Sequence, residues 1–365
     1  MDVLGKDYRL TIKRIIKHNN NQVLRWWHCK FHAFSPPDLT KALASLGVTT
    51  GDVVLVHAAY NEFIGFTGRP SDVLASLRSA VSTSGTLLMP SMPFTGSAVD
   101  YVRSGQMFDV RRTASQMGLL TELFRRSSGT IRSLHPTHPV LASGPEAGRL
   151  LHDHPLASTP CGRHSPYAKL TEVDAKIVLL GTGVAVMTYY HYLEEELESR
   201  LPRCPFTQQT FDIVFRGYDG ETRQVTTRLY DQDLSARRRL GSIEHELRMR
   251  GAWREQSVGR VSVVVLEARA VSDAVRFLDV AMGSLNRPES VAAYQAVKGR
   301  ILSLQSDAHY GFVFGGSLSL RDELSDILGQ LFRIPVNGQP ITILDPTWTA
   351  GPVFAVGNGG NAEGW

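Results

Sequence analysis

The stretch Lys176-Ile177-Val178-Leu179-Leu180-Gly181-Thr182-Gly183-Val184-Ala185-Val186-Met187-Thr188-Tyr189-Tyr190-His191-Tyr192-Leu193-Glu194-Glu195-Glu196 decides how the fold is read. Its first five residues form a short apolar run between Asp174 and Gly181, the pattern of a buried parallel strand. Good helix formers follow, with a threonine near their start, so the unit reads as strand, glycine-rich turn, helix. In open α/β sheets ligands sit at the carboxyl ends of strands, and this junction is such an end. His191 and Glu194 are three residues apart and share one helical face, with Thr188 one turn back. An imidazole oriented by a carboxylate, beside a hydroxyl, is a workable general-base arrangement. An amphipathic surface helix carrying one ordinary histidine has the same spacing, so the pattern alone leaves both readings open.

Upstream, the chain becomes regular from Asp38. Leu39 to Leu46 reads as a helix, and Val53-Val54-Leu55-Val56 as a buried strand ending at His57-Ala58-Ala59. Ser71 reads as the N-cap of a helix through Val81, and Thr86 to Pro90 as the next strand. Strands and helices at this spacing predict βαβ units. Residues 91–114 read as a long irregular stretch, a length that inside a compact domain is usually functional. Ser115 to Arg126 and a Pro145-initiated segment read as helices. Beyond the opening stretch, Thr210 to Phe215 and Arg223 to Leu229 alternate as antiparallel strands. A helix over roughly 232–250, a strand over Arg260 to Glu267 and a helix over Val271 to Leu285 complete the pattern. The expected class is α/β, with a mostly parallel central sheet flanked by helices, a smaller mixed α+β region after residue 205 and an appended C-terminal segment.

Composition narrows the function classes. At 365 residues, 42% hydrophobic and 20% charged, the chain has the balance of a soluble globular protein. It contains no run of 18 or more apolar residues and no apolar N-terminal core, so neither a membrane span nor a secretory signal is expected. Cys29, Cys161 and Cys204 are scattered, which predicts no disulfide framework and favours a cytoplasmic protein. Residues 1–34 carry seven Lys/Arg against Asp2 and Asp7, so the net charge of +4 belongs to this arm and the remainder is close to neutral. The arm suits an anionic partner or a solvated extension. The expected organisation is a basic extension over 1–34, an α/β domain over 35–285 and an extension or small module over 286–365.

Histidines concentrate at His135, His138, His152, His154, His164 and His191. The spacings His135-x-x-His138 and His152-x-His154 could serve a metal, but no HExxH or CxxC fixes two ligands on one element, and no metal is expected. His152 and His154 fit a helix end, where imidazolium meets the C-terminal dipole. A Gly-x-Ser-x-Gly elbow and a Walker loop are absent, which argues against serine hydrolases and nucleoside triphosphatases.

A longer ordered set of segments carries a family likeness. It comprises Gly51-Asp52-Val53-Val54-Leu55-Val56-His57-Ala58, Gly85 to Pro90, Phe108-Asp109, and Thr113 to Gly118 with Glu122 and Phe124-Arg125-Arg126. It continues with Arg132-Ser133-Leu134-His135-Pro136-Thr137-His138, Gly144, Ser165-Pro166-Tyr167, Leu179-Leu180-Gly181 and Thr188-x-x-His191-x-x-Glu194. Together, over about residues 38–285, these resemble the aminoglycoside 3-N-acetyltransferases, antibiotic N-acetyltransferases with a non-Gcn5 fold. The resemblance implies acyl-CoA-dependent N-acyl transfer, with acetyl-CoA as co-substrate, to a small-molecule amine in a ternary complex. It implies His191 as general base, Glu194 as its orienting carboxylate and Thr188 beside the thioester. It also implies that His57, Ala58, Arg132, Ser133, His138 and Ser165 face CoA. No nucleic acid or membrane partner is implied. A homodimer and a carrier-protein link stay open.

Two departures stand out. Pro139 follows the His-Pro-Thr-His run where the family usually has serine, and Met187 precedes Thr188 where asparagine is common. Residues 205–260 hold ten Arg against eight Asp/Glu, a poor field for a polycation. The expected acceptor is therefore neutral or anionic: an amino sugar, a nucleotide-linked amine or a natural-product intermediate. A hydroxyl acceptor, another acyl donor and a non-catalytic scaffold are the alternatives. The tail segment Phe314 to Leu320 faintly resembles an acyl-carrier segment, with Leu318 in register where the modified serine should stand and Ser319 one residue out.

Overall fold

The computed structural model describes residues 32–201, 204–231 and 240–282. Most of the basic arm, the Arg237-Arg238-Arg239 run and the carrier-like tail segment lie outside the described residues. The chain divides into two compact units, Met1–Arg276 and Phe277–Trp365, and the site belongs to the first.

The first helix, α1 (Pro36–Ser45), starts where the Asp38 carboxylate accepts the Ser35 N–H at 2.8 Å. Strand β1 (Val53–Ala58) leads to α2 (Pro70–Val81) and β2 (Thr86–Pro90). Helix α2 begins one residue before the expected cap at Ser71. Pro70 presets its first turn, and Asp72 accepts the Arg69 N–H at 2.7 Å. The stretch after β2 is not wholly irregular, because it contains α3 (Ala98–Arg103) and the two-residue strand β3 (Phe108–Asp109). Then come α4 (Leu119–Arg126), β4 (Ile131–Arg132), β5 (Val140–Ser143), α5 (Ala147–Leu151), β6 (Lys176–Leu180) and α6 (Tyr189–Glu196). The hairpin β7 (Phe206–Arg216) and β8 (Thr222–Tyr230) precedes α7 (Gly241–Met249), β9 (Arg254–Val258), β10 (Val261–Glu267) and α8 (Ala268–Met282).

Seven strands form the central sheet in the order β4-β5-β2-β1-β6-β10-β9. The α/β class is borne out with one refinement. Parallel pairing is confined to the central trio β2-β1-β6, while β5, β4, β10 and β9 join antiparallel, so the sheet is mixed. The parallel trio is buried on both faces. Val54, Val56, Leu87, Met89, Val178 and Leu180 pack in one core with Leu39 and Leu43 of α1, Val73 and Leu77 of α2, and Phe124 of α4. The alternate residues Leu55, Leu88, Ile177 and Leu179 are equally inaccessible on the other face.

A second sheet, ordered β3-β7-β8, has its own core of Phe108, Val110, Phe211, Ile213, Phe215, Val225 and Leu229. This is the mixed region expected after residue 205, except that its outer strand β3 is drawn from a segment a hundred residues earlier.

The step from β1 to β2 goes one way along the sheet, and β6 lies on the other side of β1. The carboxyl ends of β1 and β6 therefore flank a topological switch point, the usual ligand crevice of an α/β sheet. They are tied there by the Ala59 N–H donating to the Leu180 carbonyl at 2.9 Å. Gly181 takes φ +63, and a Cβ in its place would lie 2.8 Å from the Glu62 Cβ. Only glycine lets the two strand ends approach this closely.

A second glycine gives a stability test. Gly144 has φ +132, and a Cβ there would stand 2.2 Å from the Gly85 carbonyl oxygen. Gly144→Ala is expected to cost about 2 kcal/mol or more through backbone strain and overpacking. Urea unfolding should show a lower midpoint at unchanged slope, and a wild-type midpoint would contradict the packing.

Candidate active site

Helix α6 places the proposed base. Thr188, buried, holds its N-cap position after a short turn over Val184–Val186. One turn on, His191 is 23% exposed, and Glu194 beneath it is 2% exposed. The Nδ1 of His191 stands 3.7 Å from Glu194 Oε2. The ring nitrogen beside the carboxylate is thus Nδ1. Glu195 turns away to the 155–166 loop, where it accepts the Thr159 hydroxyl at 2.5 Å, and burial raises its carboxyl. A Cβ at Gly162 would fall 2.5 Å from Glu195 Oε1, so that loop lies hard against the helix.

The Tyr230 ring, at the end of β8, lies 4.5 Å from the His191 ring, and the His138 ring lies 5.7 Å from Tyr230. His191, Glu194 and His138 are thereby brought into one cluster. His57 and Ala58 are paired with Leu179 and Leu180 at the carboxyl end of the β1–β6 ladder, just before the turn that leads to α6. His57 is buried, which pulls it down to about 4, and its Nε2 has no protein partner. Ser165, fully buried, likewise has an unpartnered hydroxyl.

Arg132 and Ser133 are placed differently. The Arg132 guanidinium is buried, donates to the carbonyls of Thr113 and Ser91, and lies 4.7 Å over the Phe108 ring. Burial lowers it to about 9. Ser133 accepts the Val140 N–H at 2.8 Å and meets His154 Nδ1 at 2.7 Å. The two terminal nitrogens of Arg132 and the Ser133 hydroxyl are thus engaged within the protein, while Arg132 Nε has no protein partner.

The remaining histidines brace the site. His154 Nε2 lies 3.0 Å from the Pro160 carbonyl, an acceptor only, so Nε2 carries the proton and Nδ1 accepts from Ser133. The His135 ring stacks on His154 at 4.7 Å, and His135 Nδ1 accepts the His138 N–H at 3.2 Å. These lone pairs are turned inward to protein donors. Among the described residues no group of three or more His, Cys, Asp or Glu is arranged to hold a metal ion. His152 does sit at the C-terminal end of α5, as expected, whereas His154 belongs to the core. Pro139, at the first departure, still offers its carbonyl to the Ser91 N–H at 2.8 Å. Met187, at the second, is buried.

Sequence reasoning missed Tyr230, Phe206 and the Thr159–Glu195 contact. Only the alternation along β8 carried a signal for Tyr230.

A sequence model of the family described as aminoglycoside 3-N-acetyltransferase matches residues 55–278, which hold every residue of this cluster. The chain belongs to that family. It is accordingly a CoA-dependent N-acetyltransferase. It is similar to aminoglycoside N(3)-acetyltransferase III of Salmonella sp, at 30% identity over 53% of this chain and 71% of the relative. It is also similar to aminoglycoside N(3)-acetyltransferase VII of Streptomyces paromomycinus, at 29% identity over 64% and 88%. Among solved structures, AAC-IIIb, binary with CoASH, superposes with a TM-score of 0.57 at 25% identity, over 67% of this chain and 96% of that one. The fold of AAC(3)-Xa superposes with a TM-score of 0.60 over 72% and 98%. No helix among the described residues is long and apolar enough to cross a membrane.

The buried histidines make stability depend on pH. His57 and His154 are both held near 4 by burial, below their ordinary 6.5. Between those values the unfolded chain binds protons that the folded chain refuses, so stability falls as pH drops from about 6.5 to about 4. Each group contributes roughly 3 kcal/mol across the full window. Thermal unfolding should show Tm falling steadily through that range, and a flat profile would contradict the neutral, buried imidazoles.

Proposed function

We propose that the protein transfers the acetyl group of acetyl-CoA directly to an amine of a cationic amino sugar, with His191 as general base. The observation that carries this reading is the partly open His191 ring over the buried Glu194 carboxylate, at the carboxyl end of the central strands. The amine nitrogen attacks the thioester carbonyl as His191 Nε2 takes its proton. The tetrahedral intermediate then collapses, the C–S bond breaks, and the proton passes to the departing CoA sulfur. Glu194 steadies the imidazolium formed on the way. The Thr188 hydroxyl at the helix start is the donor to the developing oxyanion.

The unpartnered His57 Nε2 and Ser165 hydroxyl are buried polar groups that call for a ligand, which suits the CoA side. His138 and Ala58 belong to the same wall. Residues 35–285 form the catalytic domain on this reading.

The acceptor follows from the charges. Five of the ten arginines expected to repel a polycation are ion-paired. Arg223 pairs with Asp219, Arg228 with Glu198, Arg248 with Glu244 and Glu255, Arg250 with Glu246, and Arg254 with Glu267. The physical ground for a neutral or anionic acceptor is thereby weakened, while α6 brings the Glu194 carboxylate to the base. Cationic amino sugars of the aminoglycoside type fit this field better.

His191→Ala should lower kcat by about 10²- to 10⁴-fold while acetyl-CoA binding by calorimetry stays within about threefold. An acceptor panel should show tobramycin acetylated in preference to glucosamine 6-phosphate, with kcat/KM falling as salt rises. Preference for the anionic sugar would overturn the acceptor assignment, and an active His191→Ala enzyme the general base.

A further inference from the structure

The β7–β8 hairpin carries an aromatic pair at its open end. Phe206 and Tyr230 are direct partners in the antiparallel register, with ring centroids 4.9 Å apart. Such cross-strand pairs stiffen a hairpin. Tyr230 is 7% exposed, and its ring is inclined 31° to the His191 imidazole at 4.5 Å. Strand geometry sets this direction. Val225 and Leu229 point into the core of the small sheet, so Arg228 and Tyr230 project from the opposite face.

Arg228 uses that face to grip the turn after α6. Its guanidinium donates to both Glu198 oxygens, at 2.9 and 3.1 Å, and covers the Phe206 ring at 4.6 Å. On its backbone side the strand is fastened to the 155–166 loop, where the Arg228 N–H donates to the Ser158 carbonyl at 3.0 Å. Tyr230 is therefore held from three directions, while the ring that it touches must keep one nitrogen aimed at a reacting amine. Glu194 Oε2 stands 3.7 Å from Nδ1 of the same ring, so the carboxylate and the Tyr230 ring both border the imidazole.

We propose that Tyr230 is the positioning residue of the base. Its ring sets the plane of the His191 imidazole, and through it the small sheet controls catalysis performed on the large one. The proposal rests on His191 being the base. Burial pushes the Tyr230 hydroxyl well above its usual value, beside Cys161, Glu195 and Glu194, so the group stays a neutral aromatic. The ring carries the effect and the hydroxyl does not.

The test is steady-state kinetics of Tyr230→Leu, Tyr230→Met and Tyr230→Phe beside wild type and His191→Ala. Leu and Met should lower kcat about tenfold or more, with KM for acetyl-CoA within about threefold, because a misaimed nucleophile or base costs rate and not binding. Phe should restore kcat to within about fivefold of wild type. Met fills the volume flexibly, so it decides the matter if Leu does not fold. As an independent measure, the His191 ring-proton NMR resonances, identified by their loss in His191→Ala, should be displaced by the neighbouring ring in wild type and in Tyr230→Phe. Undisplaced resonances, full kcat in Leu and Met, a defect in KM alone, or a Phe variant as slow as Leu would each overturn the proposal. An inactive His191→Ala beside active Leu and Met would remove Tyr230 alone. An active His191→Ala would remove the general base as well.

Discussion

A carboxylate taken out of water, that of Glu194, is the constraint on which the site depends. Burying an ionised carboxylate is costly unless charged or hydrogen-bonding groups surround it. The His191 ring lies beside it, with Nδ1 3.7 Å from Oε2. Helix α6 must then start where it does, directly after the turn that ends β6. Gly181, in a left-handed conformation against Glu62, makes the turn short enough. The functional histidine is thus fixed by the same contacts that seal the carboxyl ends of β1 and β6.

Around this point the two sheets divide the work. The central sheet supplies strand ends, helix starts and buried imidazoles whose lone pairs point inward. The small sheet supplies an aromatic wall and ion pairs that hold α6 from outside. Its strand β3 is threaded in from the segment after β2, and Arg132 lies on Phe108 of that strand while donating to the Ser91 and Thr113 carbonyls. The buried guanidinium binds the two sheets together.

The α/β class was legible because Lys176–Leu180 and Val53–Ala58 are apolar runs that only burial on both faces explains. The proposed base was legible because Thr188, His191 and Glu194 fall at helical spacing in one short segment, and the family likeness favoured the functional reading over an ordinary surface helix. Other features had no local signal. Strands β3 and β4 are two residues each and exist only through their partners, and β9 is a polar edge strand that reads as loop. Ser71 reads as a helix cap, but Pro70 with Asp72 sets the cap two residues earlier, at Arg69. The pairing of the arginines after residue 205 had no local signal either. Counting charges along a chain does not reveal that Asp219, Glu198, Glu246 and Glu267 stand beside them in space.

The Glu194 charge is tested most directly by Glu194→Gln, because the amide keeps the shape and removes the charge. The measurement is kcat/KM for acetyl transfer, with acetyl-CoA affinity and Tm as controls. The account predicts a loss of roughly tenfold or more in kcat/KM, with acetyl-CoA affinity and folding retained, since the imidazolium formed during proton transfer loses its counter-charge. A Gln variant as fast as wild type would contradict it and leave Glu194 a packing residue.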